Sequence, residues 1–131
     1  MVKVVKKKVL LIEDELDIMF VYQTALEAAG IEVETAGSGK EAMLKIQKMQ
    51  EGGREKPDLV LLDLVLPDIN GLEILYTLRK NDTTKDVAIF ILSNYSSDAL
   101  HNMTYIQPEK FLVKANTTPT QLAELVKEQL R

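Results

Sequence analysis

The chain has 131 residues, 16 Lys and Arg against 20 Asp and Glu, a formal charge of −4, and no cysteine. That length suits one domain over residues 1–131, which buries roughly two thirds of the surface its unfolded chain would expose. Without cysteine there is no disulfide framework, no thiolate nucleophile and no Cys-ligated zinc. The mildly acidic balance gives no global attraction to nucleic acid or anionic lipid. The longest unbroken apolar run is Val87 to Leu92, six residues, against the ~20 a membrane-crossing helix needs. The basic lead-in, residues 1–7, meets only Val9 to Ile12 before Glu13-Asp14-Glu15, too little apolar chain for a secretion signal. A cytoplasmic domain that neither enters membranes nor binds nucleic acid directly is expected.

Taken in chain order, short apolar runs alternate with stretches of helical spacing. Val9-Leu10-Leu11-Ile12 reads as a strand buried on both faces. Leu16, Met19, Gln23 and Leu26 then share a helical face that Gly30 ends. Residues 31–36 alternate apolar and polar, the pattern of an edge strand with one wet face. Ser38, three residues before Glu41, suggests a capping box for a helix carrying Ala42, Met43, Ile46 and Met49. Leu59 to Leu62 is the next buried strand, followed by a helix carrying Leu72, Leu75 and Leu78. Val87 to Leu92 and Phe111-Leu112-Val113 are the last two strands. Between them, 94–109 holds a short helix with Ala99, Leu100, Met103 and Ile106 on one face, stopped by Pro108. Thr118-Pro119 fits the N-cap and first position of a final helix with Leu122, Leu125 and Val126. Five β-α units in this order predict an α/β domain, a parallel sheet wound with helices on both faces.

The chemistry sits where strands end. Glu13 and Asp14 follow the first strand, Asp63 the third, Ser93 the fourth and Lys114 the fifth. In a doubly wound sheet the functional crevice lies beyond the carboxyl ends of the strands, where strand order reverses. If the first and third strands are neighbours, three carboxylates converge there, and their mutual repulsion is relieved by a hard cation such as Mg²⁺. The competing reading makes Glu13-Asp14-Glu15 a helix cap, with negative charge favoured at the helix N-terminus. Asp63 is flanked by apolar runs and fits that reading poorly, because a buried carboxylate needs a partner. Lys114 balances the cluster or merely reaches solvent along its stem. His101, the single histidine, reads as a surface residue, and Gly37-Ser38-Gly39-Lys40 lacks the spacing of a phosphate loop.

Four pieces of the chain together resemble the receiver domain of two-component response regulators. They are Val9-Leu10-Leu11-Ile12-Glu13-Asp14-Glu15, the stretch Asp58 to Gly71 with its Asp63…Pro67…Gly71 spacing, Ile89-Phe90-Ile91-Leu92-Ser93, and Phe111-Leu112-Val113-Lys114. The resemblance covers about residues 8–130. It implies a flavodoxin-like (βα)5 fold with strand order 2-1-3-4-5. It implies that Asp63 is the phosphoacceptor and that Glu13, Asp14, Asp63 and the backbone carbonyl of Val65 hold Mg²⁺. Ser93 and Lys114 would contact the phosphoryl group, Phe111 would switch rotamer together with Ser93, and Val65 and Tyr95 would modulate hydrolysis. The partners implied are a sensor histidine kinase or phosphotransfer protein and a downstream protein, with a monomer or a phosphorylation-dependent homodimer as the assembly. No enzyme activity is expected beyond self-catalysed transfer to and from Asp63. The last helix reaches Arg131, so a stand-alone receiver is expected. Two rivals are a protein-binding module that works without phosphorylation and a haloacid-dehalogenase-type phosphatase. The latter needs a second acid where Val65 stands.

Two departures from the family pattern stand out. Ala115 follows Lys114 where the family usually has a proline in cis. A cis bond before a non-proline residue costs roughly 2.5–4 kcal/mol, so either a trans bond with a rearranged loop or a strained cis bond is expected. Gln107-Pro108-Glu109-Lys110 also replaces the usual Gly-Ala pair before the last strand.

Overall fold

The computed structural model describes residues 5–96, 99, 102 and 104–131. Five strands form one parallel sheet: β1 (Lys8–Ile12), β2 (Glu32–Ala36), β3 (Leu59–Asp63), β4 (Ala88–Ser93) and β5 (Lys110–Val113). Their spatial order is 2-1-3-4-5, as the resemblance implied. The helices are α1 (Leu16–Ala28), α2 (Gly39–Gln50), α3 (Gly71–Lys80) and α4 (Pro119–Gln129), with a 3-10 turn over Lys114–Asn116. The helix expected within 94–109 falls largely on residues 97, 98, 100, 101 and 103, which lie outside the described residues. So does His101. Ala99 and Asn102, the two described residues of that stretch, are helical.

Successive side chains of a strand point to opposite faces, and the apolar runs divide accordingly. Val9, Leu11, Leu59, Leu61, Phe90 and Leu92 pack with α1 and α4. Leu10, Ile12, Val60, Leu62, Ile89 and Ile91 pack with α2 and α3. An unbroken run is therefore the signature of two separate cores, one on each side of the sheet. β2 is the edge strand: it pairs only with β1, and its residues before Ala36 are half-buried or exposed. Charge shields it, as Lys45 donates to the Thr35 carbonyl at 2.6 Å and pairs with Glu34, which also pairs with Arg54.

Helix termini follow the local chemistry with two adjustments. Ser38 accepts from the Glu41 amide at 3.1 Å, but Glu41 reaches back to the amide of Gly37 rather than to that of Ser38. Thr118 and Gln121 form the full reciprocal capping box at α4. Gly30 takes φ +85° after α1, the left-handed conformation that favours glycine at a helix end. The α1 face differs from the one expected. Met19, Tyr22 and Leu26 are buried, whereas Leu16 is 73% exposed and Gln23 only half-buried. Residue 16 opens the helix at the rim of the sheet, beyond the reach of the core.

The parallel register puts Ile12 beside Leu62. Glu13 and Asp63, one residue further along, therefore emerge side by side at the same edge of the sheet. The chain then turns from β3 into α3 with Gly71 pressed on Leu64: a Cβ on Gly71 would sit 2.6 Å from the Leu64 carbonyl oxygen and 2.7 Å from its Cα. Both obstacles are backbone and cannot swing aside. Gly71→Ala is expected to destabilise the fold by about 2 kcal/mol or more, read as a lower urea midpoint with an unchanged slope.

Candidate functional site

Three elements converge at the carboxyl end of the sheet. β1 delivers Glu13, which is 1% exposed, and the half-buried Asp14; β3 delivers Asp63, 6% exposed. Lys114 enters from the turn after β5 and places its Nζ 3.1 and 3.3 Å from the two Glu13 carboxylate oxygens and 3.2 Å from Asp63 Oδ2. The other Asp63 oxygen, Oδ1, accepts from the Val65 amide at 3.0 Å. Each buried carboxylate thus has the partner that its burial demands. The helix-cap reading of Glu13-Asp14-Glu15 is not what the side chains do. Glu15 is the N-cap residue of α1 but makes no side-chain cap bond, and Glu13 turns to Lys114 instead.

The loop after Asp63 is fixed from two sides. Val65 bridges Asn70, and Asn70 caps α3 by accepting from the Leu72 amide at 2.9 Å. Asp68 accepts from the amides of Gly39 and Lys40, both at 2.9 Å, at the N-terminus of α2. Those amides, the Lys40 one foremost, hold the Asp68 carboxyl below its ordinary range. Asp68 was not singled out from sequence, because its partners lie 28 and 29 residues away.

Electrostatics follow from the crowding. Burial first, and then Asp63, push Glu13 up to about 8, against the pull of Lys114. Burial works against the Lys114 ammonium, but the two carboxylates outweigh it and raise Lys114 above its ordinary value. Tyr22, behind the cluster on α1, is raised by burial.

Carboxylate oxygens of Glu13, Asp14 and Asp63 lie within 4.8 Å of one another. An all-oxygen donor set of this kind fits a hard divalent cation such as Mg²⁺ and offers nothing to a soft one. A cleft of about 350 Å³ opens over Asp63 and Lys114, walled by Glu15, Val65, Asn94 and Tyr95. Val65 and Tyr95 are exposed at 60% and 49%, so their side chains are available to meet whatever enters. Glu15, read from sequence only as part of the acidic triplet, and Asn94, an ordinary loop residue by its neighbourhood, were not assigned to the cleft from sequence.

Ser93 and Phe111, the remaining expected residues, are not among those that line the cleft. Ser93 is buried at the end of β4, with its hydroxyl accepting from the Tyr95 amide at 3.2 Å. Phe111, paired in register with Ile91, is half-buried against the core on the α2 and α3 side and does not line the cleft. No peptide bond among the described residues is cis, so the Lys114-Ala115 bond is trans, and the rearranged loop is the 3-10 turn.

The family model for the response regulator receiver domain matches residues 9–127. Phosphate regulon transcriptional regulatory protein PhoB of Rhizobium meliloti is 31% identical over 126 residues, which are 95% of this chain and 52% of that protein. Across the most similar curated relatives, the chain spans 21% to 52% of their length. Among solved structures, the chemotaxis response regulator CheY4 of Vibrio cholerae superposes with a TM-score of 0.81 at 27% identity, covering 95% of this chain and 98% of that one. The phosphorylated cyanobacterial phytochrome response regulator RcpA gives 0.77 at 30% identity, covering 95% and 91%.

The ion cluster has a direct stability signature. Lys114→Met would leave two buried carboxylates facing each other without their cation. The expected cost is about 3 kcal/mol, measured by urea denaturation in buffer free of divalent metal.

Proposed function

This chain belongs to the response regulator receiver domains, and on that premise we propose that it accepts a phosphoryl group on Asp63 from a sensor histidine kinase or a phosphotransfer protein. Receiver domains are signalling modules of phosphorylation-based pathways rather than free-standing enzymes. The observation that carries the assignment is the placement of Asp63: nearly buried, ending β3 inside a cleft, hydrogen-bonded to Lys114 and adjacent to two further carboxylates.

The reaction we infer is a substitution at phosphorus. One Asp63 oxygen forms the new P–O bond as the P–N bond to the donor imidazole breaks. The bonding pair leaves with the nitrogen, which takes up a proton. There is little covalent work for the protein beyond supplying the nucleophile, so catalysis is positioning and charge neutralisation. The Val65 amide orients Asp63 through Oδ1, and the Lys114 ammonium offsets charge beside Oδ2. Glu13, Asp14, Asp63 and the Val65 carbonyl are the groups we assign to hold Mg²⁺. When bound, Mg²⁺ would supply neutralising charge to the phosphoryl oxygens.

The output in this reading is a conformational switch. A phosphoryl group adds charge and acceptor oxygens at the end of β3. The Ser93 hydroxyl, whose oxygen accepts from the Tyr95 amide, would donate its O–H to a phosphoryl oxygen and draw the loop after β4 inward. Phe111, beside Ile91 on the neighbouring strand, would repack with it, changing the surface offered to a downstream protein or to a second copy of the chain. No described helix is long and apolar enough to cross a membrane, and we place the protein in the cytoplasm, where kinases deliver phosphoryl groups. A module working without phosphorylation is the weaker reading, because such a role would not require Lys114 and three carboxylates to be gathered in one cleft.

Incubation with a small phosphodonor and Mg²⁺ is expected to label the wild type at Asp63, with no label after Asp63→Ala or without divalent metal. Equal labelling of Asp63→Ala overturns the assignment. Val65 and Tyr95 wall the cleft and crowd an attacking water. Val65→Asn is therefore expected to shorten the phosphoryl lifetime several-fold, followed as loss of label after donor removal. An unchanged lifetime removes that role from Val65.

A further inference from the structure

The rearranged turn after β5 raises the question of what fixes the Lys114 backbone without a proline at 115. Val113 and Thr117, the residues on either side of the turn, both have extended backbone, so the turn is a local feature between two straight segments. Ala115 and Asn116 are exposed and neither fixes a dihedral through a ring. Thr117 supplies both bonds that close the turn. Its hydroxyl donates to the Val113 carbonyl at 2.9 Å, and its amide donates to the Lys114 carbonyl at 3.3 Å.

The two ends of this closure are themselves anchored. Val113 is held in register against Ser93 by the sheet, and Thr118 is held by the capping box of α4. Thr117 is the link between them. The Lys114 side chain has four rotatable bonds, and the residue borders two clefts. One contains Asp63; the other, about 310 Å³, is lined by Tyr22, Thr117 and Pro119 among others. A small change in the turn would swing the ammonium between these spaces and away from its three contacts of 3.1 to 3.3 Å.

We propose that Thr117 is a positioning residue for phosphoryl transfer, its hydroxyl taking the place of a fixed proline ring in aiming Lys114 at Asp63. The proposal rests on the reading of Asp63 as phosphoacceptor. It separates the Lys114 contribution from that of the acidic cluster, since Thr117 is no part of the donor set for a metal.

The test compares wild type, Thr117→Val and Thr117→Ser for the rate of Asp63 labelling by acetyl phosphate, with Mg²⁺ affinity measured separately by calorimetry. Thr117→Val is expected to slow labelling about tenfold or more, as a displaced catalytic group does, while Mg²⁺ affinity stays near that of wild type. Thr117→Ser restores most of the rate. In a Lys114→Ala background, Thr117→Val is expected to add no further loss, because the group it aims is gone. Thr117→Ala replaces the valine variant in the same comparisons if circular dichroism shows that valine to be unfolded. Labelling as fast as wild type in the variant without the hydroxyl overturns the proposal. So does an equal loss in Thr117→Ser, or an undiminished further loss without Lys114. Failure of the wild type to label at Asp63 would instead strike the phosphoacceptor reading itself.

Discussion

A single ammonium group reconciles the acidic end of the sheet with its burial. Glu13 and Asp63 are carried out of water by β1 and β3, adjacent strands whose register brings their ends level. Two such carboxylates repel in a medium that screens poorly. Lys114 meets both, with its Nζ within 3.3 Å of three of their oxygens. The pairing joins β1, β3 and the chain leaving β5 at one point, and so ties the site together across the width of the sheet.

That arrangement also explains why the loops around it are tightly held. Asp63 keeps one oxygen on the Val65 amide and the other on Lys114, so its orientation depends on both the β3–α3 loop and the turn after β5. The first is fastened by Gly71 against Leu64 and by Asp68 against the start of α2. The second is closed by Thr117. For the phosphoryl transfer we propose, whose catalysis is mainly positioning, these backbone anchors are where the precision would reside. By contrast, the Ser93 hydroxyl oxygen accepts from the Tyr95 amide, and its O–H is the group that would donate to a newly arrived acceptor.

At the start of β5 the departure from the family pattern has a structural use. Glu109 accepts from the Ile89 amide at 2.5 Å and pairs with Arg79, whose guanidinium also reaches the Lys85 and Val87 carbonyls. The last strand is therefore pinned to β4 and α3 by a charged clamp at its entry, opposite the end where Lys114 acts. The side chains that replace the usual small pair do not leave the strand loose. The Glu109 carboxylate adds to the bond that its own amide donates to the Ile89 carbonyl at 2.8 Å.

Much of the molecule was legible along the chain. Short unbroken apolar runs alternating with helical spacing pointed to strands with a core on each side, and alternation in residues 31–36 marked the shielded edge. Acidic and basic residues immediately after such runs identified the end of the sheet where chemistry gathers, because a parallel sheet points all its carboxyl ends one way. The motif around Asp63 was readable for the same local reason. What the sequence left open was everything set by neighbours distant in the chain. The buried face of α1 runs through Tyr22 rather than Leu16, since the helix's docking on the sheet, not its period, decides which residues the core can reach. Asp68 looks like an ordinary loop residue until folding brings the start of α2 within hydrogen-bonding distance. Thr117, whose partners Val113 and Lys114 are near in the chain, shows its role only in the turn the backbone adopts there. Residue order determined the fold and the chemical groups available; only three-dimensional packing decided their partners, because a hydrogen bond is won or lost over fractions of an ångström that no spacing along the chain records.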